Sequence, residues 1–211
     1  MKSPRRDMSS RRFFVTIYCV KKTKRVFLVH GWEGTPDNHW FPWLTHKLVE
    51  KDFTVFAPAM LNTAHPKVSE WLAELSRVVG VPDRDTYFVG HSLGCITIAR
   101  YLQLLPEGVR VGGCVFVAGF SRDLAIPEIA EFCSLPLDIR KTRTHCEDFV
   151  TIYSDDDEYI SIAESEDFSK KVGAHQVFEK GKGHFCMSDG VTELPSALDA
   201  LLGLSASKAI R

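Results

Sequence analysis

The stretch that decides the fold is Thr86-Tyr87-Phe88-Val89-Gly90-His91-Ser92-Leu93-Gly94-Cys95-Ile96. Its first residues are aromatic and β-branched, as a buried strand requires. From Leu93 the sequence reads as a helix that runs to Leu105 and stops before Pro106. Between strand and helix stands Ser92, with a glycine two residues away on each side. A turn this sharp crowds the backbone, and Gly90 and Gly94 remove the Cβ atoms that would collide. The serine hydroxyl is thereby lifted above the sheet at a helix N-terminus, where backbone N–H groups favour developing negative charge. G-x-S-x-G has this meaning only between a strand and a helix. Without that context it is an ordinary serine in a tight turn.

Outward from this turn, β-rich runs alternate with helix-period segments. Residues 26–29, 53–56, 113–118, 149–153 and 175–178 read as further strands. Helices are predicted beyond Asn38 with Pro42 in the first turn, and over 66–79, 161–172 and 193–202. Val68, Trp71, Leu72, Leu75 and Val79 recur at spacings of three and four. The predicted fold is α/β: a doubly wound, mainly parallel sheet with helices on both faces. Residues 120–148, which contain Pro127 and Pro136, have room for one helix and a loop, not for a large lid domain. Residues 25–211 are expected to form a single domain.

Residues 1–24 form an extension. Its start is basic and polar, and Phe13-Phe14-Val15-Thr16-Ile17-Tyr18-Cys19-Val20 is a short apolar run. The run is too short to span a bilayer, and no small-x-small cleavage site follows it. An edge strand or a poorly ordered extension is expected. The chain has 211 residues, 45% of them hydrophobic, enough to bury a full core. Lys plus Arg (26) nearly balances Asp plus Glu (27), which argues against a nucleic-acid partner. The six cysteines are scattered, with no C-x-x-C pair, which fits a reducing, cytoplasmic compartment.

A nucleophilic serine needs a base. Of the eight histidines, His184 in Gly181-Lys182-Gly183-His184-Phe185 follows the last strand. It therefore falls at the sheet edge where the sites of parallel sheets gather. His91 is read as scaffold of the turn, pointing away, and His30 as part of the loop after the first core strand. The remaining histidines are read as surface or packing residues. The base needs an orienting carboxylate. Ser154-Asp155-Asp156-Asp157-Glu158 follows the fifth strand, and the order Ser, Asp, His is that of α/β hydrolases. Asp157 is the first choice and Asp156 the second; spacing alone does not separate them. A solvated turn or a cation site is the other reading of such an acidic run. Oxyanion donors are expected from the backbone N–H of Leu93 and, in the loop His30-Gly31-Trp32-Glu33-Gly34, from that of Trp32.

Four stretches, VFLVHGWEGTPDNHWFPWL, GHSLG, SDDDEYI and GKGHF, together resemble the small α/β-hydrolase serine hydrolases of the YdeN and retinoblastoma-binding-protein-nine type. The resemblance runs from Arg25 to Leu202. It implies a compact fold and a Ser92, Asp157, His184 triad. It selects Asp157 because the family's acidic element has its second Asp in the triad; Ser161 here replaces a proline usual in that element.

The reaction expected is acyl transfer, a carboxylic ester being the first substrate class and thioesters or amides also within reach. No metal or organic cofactor is required. A small-molecule acyl substrate is the expected partner, and the short connection after the fourth strand suggests an open site for small or accessible esters. A protein-binding module on a hydrolase fold is the alternative, although the chain has no Leu-x-Cys-x-Glu motif. Trp40, Phe41 and Trp43 either line an acyl pocket near Trp32 or pack the first helix; their helical spacing favours packing.

Overall fold

The computed structural model describes residues 23–206. The expectations for the apolar run at 13–20, for Cys19 and for most of the 1–24 extension lie outside the described residues. Among the described residues the sheet has six strands, all parallel, in the order β2-β1-β3-β4-β5-β6. They are β1 (Arg25–Val29), β2 (Thr54–Phe56), β3 (Thr86–His91), β4 (Gly113–Val117), β5 (Phe149–Ser154) and β6 (His175–Glu179). The helices are α1 (Phe41–Val49), α2 (Val68–Val79), α3 (Leu93–Leu102), α4 (Ala130–Cys133), α5 (Ile139–His145), α6 (Ile162–Val172) and α7 (Pro195–Ala206).

The strand order explains where a site forms. From β1 the chain steps outward to β2, then crosses back to β3 and proceeds toward β6. Right-handed crossovers then place α1 on one face and α2 through α6 on the other. The last helix, α7, joins α1 on the first face and packs on β4 and β5. The loops leaving β1 and β3 diverge to opposite faces, which opens a crevice at the carboxyl ends of these two adjacent strands. Central strands β3 and β4 are buried along their whole length. The core on the two faces is anchored by Trp40, Phe41 and Trp71, all fully or almost fully buried.

Several boundaries differ from the sequence reading. Strand β3 runs two residues past Val89, so that the strand itself delivers Ser92. Helix α3 ends at Leu102, and i→i+3 bonds from Gln103, Leu104 and Leu105 tighten its end into turns before Pro106. The connection after β4 contains two short helices instead of one. Pro136 separates them, and the Asp138 carboxylate accepts from Lys141 N at 2.9 Å to start α5 afresh. Helix α7 begins at Pro195, suited to the first helical position, and continues to Ala206.

Candidate active site

The turn between β3 and α3 is held by backbone crowding. Ser92 has φ 52 and ψ −117, a conformation that costs a non-glycine residue about 1–3 kcal/mol. It persists because Ser92 N donates to Val117 O at 2.9 Å and Cys95 N donates to Ser92 O at 2.9 Å. Neither flanking glycine has positive φ; both are required by close approach. A Cβ on Gly94 would lie 2.0 Å from Val29 O, and one on Gly90 would lie 2.8 Å from Cys95 N.

The acidic run is sorted residue by residue. Asp155 Oδ1 accepts from Gly181 N at 2.8 Å. Asp156 Oδ1 accepts from Ser154 Oγ at 2.6 Å and from Gly183 N at 2.7 Å. These donors, the Ser154 hydroxyl first, hold the Asp156 carboxyl below the usual carboxylate range. Asp157 alone reaches an imidazole: its Oδ2 lies 2.8 Å from His184 Nδ1, and only 3% of its side chain is exposed. Its Oδ1 accepts from Tyr159 N and Ile160 N at 2.9 and 3.0 Å, which fixes the carboxylate. Ser161, standing where the resembling family's element usually has proline, caps α6 by accepting from Glu164 N at 3.3 Å. Among the described residues no cluster of three or more groups is arranged to hold a metal.

His184 is carried by a loop with its own constraints. Gly183 has φ 51, and a Cβ there would lie 2.5 Å from the Asp189 carboxyl carbon. His91 is buried and tied to this loop, not turned away from the site: its Nε2–H donates to His184 O at 2.7 Å. Burial, and then the neighbouring His184, push the His91 imidazole well below the ordinary histidine range, so it is a neutral strut. His30 is also neutral, its basicity lowered by burial. Its Nδ1–H donates to Gly31 O at 2.9 Å and its Nε2 accepts from Met60 N at 3.1 Å. Those bonds brace the loop after β1.

Within that loop, Glu33 N donates to Thr63 O and Gly34 N to Gly31 O. With Ser92 N also engaged, the Trp32 and Leu93 N–H groups are left without a protein acceptor among the described residues. Gly31 lets Ser92 come close: a Cβ there would lie 3.1 Å from the Ser92 Cβ.

Ser92, His184, Trp32 and His91 line one pocket of about 130 Å³. Leu124, Ile126 and Ile129 also line it, so the short connection after β4 forms part of its wall. Tyr159 lines it too, its ring edge-on to His184 with centroids 4.9 Å apart. Cys186 is present, but burial pushes its thiol up to about 12, which keeps it protonated. Trp40 and Phe41 are buried in the core and Trp43 packs against it, so this trio packs the first helix. His39, read from sequence as a surface or packing residue, is instead a lining residue. Only its position beside the aromatic motif hinted at this.

The serine hydrolase family matches residues 26–202 of the chain. The YdeN hydrolase of Bacillus subtilis (strain 168) is 32% identical over 180 residues, covering 85% of this chain and 95% of that protein. The crystal structure of the B. subtilis ydeN gene product superposes with a TM-score of 0.84 at 31% identity, over 87% of this chain and all of that one. Est1E from Butyrivibrio proteoclasticus, at 14% identity and a TM-score of 0.69 over 89% of this chain and 90% of its own, shares the fold. No helix among the described residues is long and apolar enough to cross a membrane.

Proposed function

The chain belongs to the serine hydrolase family, and from that premise we propose that it hydrolyses carboxylic esters of small acyl groups through Ser92, His184 and Asp157. One observation carries the reading: the pocket that holds Ser92 also holds His184, whose Nδ1 is 2.8 Å from the fixed carboxylate of Asp157. Asp157 keeps the Nδ1–H tautomer, which leaves Nε2 as the proton acceptor. Ser92 Oγ bonds to the acyl carbon as its proton passes to His184 Nε2. The carbonyl oxygen becomes an oxyanion, and the Trp32 and Leu93 N–H groups receive it. Collapse breaks the ester bond, and His184 returns the proton to the departing alcohol. Water, activated in the same way, then frees the carboxylic acid and Ser92. Leu124, Ile126 and Ile129 offer the acyl chain an apolar surface.

The test is labelling by a fluorophosphonate together with hydrolysis of a p-nitrophenyl ester series. Wild type is expected to be labelled at Ser92 and to prefer short acyl chains. Ser92→Ala abolishes labelling, and His184→Ala slows it by several orders of magnitude. Labelling that survives His184→Ala unchanged overturns the reading.

A further inference from the structure

Met187 N donates to His39 Nδ1 at 2.9 Å. A ring nitrogen that accepts has no proton, so in the neutral ring Nε2 carries it. Burial first, and then nearby His184, hold His39 below the ordinary histidine range and keep it neutral near pH 7. Its Nε2–H has no acceptor among the described residues, and its ring lines the pocket. The backbone at His39 has φ 58, unusual outside glycine, and the Met187 bond holds the ring while the chain stays so turned. Met187 lies on the loop that carries His184, so its bond ties His39 to the base's side of the pocket. In the proposed reaction that is the leaving-group side, since His184 must protonate the departing oxygen.

We propose that His39 is a specificity-determining residue whose Nε2–H donates a hydrogen bond to an oxygen on the leaving alcohol. The preferred esters are therefore those of alcohols that bear an ether, hydroxyl or carbonyl oxygen a few bonds beyond the scissile one. Purely alkyl alcohols leave this donor unpaired on binding, and an unmet buried donor is penalised more than a met one is rewarded. The inference rests on the Ser92 ester-hydrolase reading and adds a substrate class to it.

The experiment compares 2-methoxyethyl butanoate with n-butyl butanoate, which share the acyl group and nearly the same shape. The ratio of their kcat/KM values, divided by the ratio of their hydroxide-catalysed rates, removes intrinsic reactivity. In wild type this corrected ratio is expected to be about three to ten, the effect of one neutral hydrogen bond. His39→Asn keeps an oxygen for Met187 N and tolerates the positive φ, but places no donor at the Nε2 position; the ratio falls to about one. His39→Gln places its amide N–H₂ near that position and partly restores the preference. A corrected wild-type ratio of one overturns the proposal without any variant having to fold. So does an equal loss on both esters in His39→Asn, which marks a merely structural role. If neither ester is hydrolysed in a Ser92-dependent way, the underlying reading fails and this inference with it; Ser92-dependent turnover without the preference sinks only the inference.

Discussion

The turn at Ser92 and the paired loops that bring Asp157 to His184 are built by different physics. The turn is local and steric: eleven consecutive residues, 86–96, contain the strand, the strained serine and the helix start. Its closest constraint is backbone against backbone, the 2.0 Å that would separate a Cβ on Gly94 from Val29 O. The paired loops are held by hydrogen bonds across 26 to 28 residues of sequence. Asp155, Ser154 and Asp156 accept from the backbone N–H groups of Gly181, Lys182 and Gly183 in turn. The same candidate site therefore depends at one end on excluded volume, which relaxes little, and at the other on polar contacts that water partly replaces.

If this contrast is right, the largest effect belongs to Gly94→Ala. The added methyl meets main chain at the end of the interior strand β1, which has no side-chain rotamer to give way. Loss of folded protein is expected, measured as absence of a cooperative thermal transition; a variant with wild-type melting breaks the steric account.

The next effect separates neighbours in the acidic run. Asp157→Asn keeps the shape of the carboxylate but presents the wrong partner to His184 Nδ1. It is expected to lower kcat by about 10³–10⁴ with little change in Tm. Asp156→Ala removes the acceptor for Ser154 Oγ and Gly183 N. Here a lower Tm is expected, with activity reduced no more than about ten-fold once folded protein is counted. Reversal of the two outcomes would assign the loop-holding and orienting roles the other way round.

The smallest effect is on pH dependence. His30 and His91 are harder to protonate in the folded protein than in the unfolded chain. The unfolded state thus takes up more protons as pH falls below about 6.5. The stability that rests on their neutral rings is complete above that value. Below it the loss is at most about 1.4 kcal/mol per pH unit for each ring. Urea unfolding at pH 7.5 and 5.5 checks this; equal midpoints would show that neither ring is held neutral.

How much was legible in the sequence follows the same division. The strand–turn–helix around Ser92, the parallel α/β class and the loop with Gly31 and Trp32 were readable, because each is specified by near neighbours. The place of His184 on the loop after the last strand is readable in the same way. Asp157 is the first choice over Asp156 in the acidic run, but only the family resemblance selects it, since three adjacent aspartates have the same chemistry and nearly the same spacing. Nothing local marks His39 as a pocket residue: its partner is Met187, 148 residues away. His91 reads locally as scaffold pointing away, whereas its tie to the His184 carbonyl spans 93 residues and has no local signature.

By itself, then, the sequence determined the alternation of elements, the sharp turn and the order of the candidate groups along the chain. These depend on side-chain periodicity and on where glycine relieves crowding, both properties of contiguous residues. Tertiary structure alone decided which carboxylate meets the imidazole, which histidines are neutral struts and which one lines the pocket beside Ser92. Those choices are made by hydrogen bonds between loops from different strand ends. Their partners become neighbours only when β1, β3, β5 and β6 take their places in one sheet.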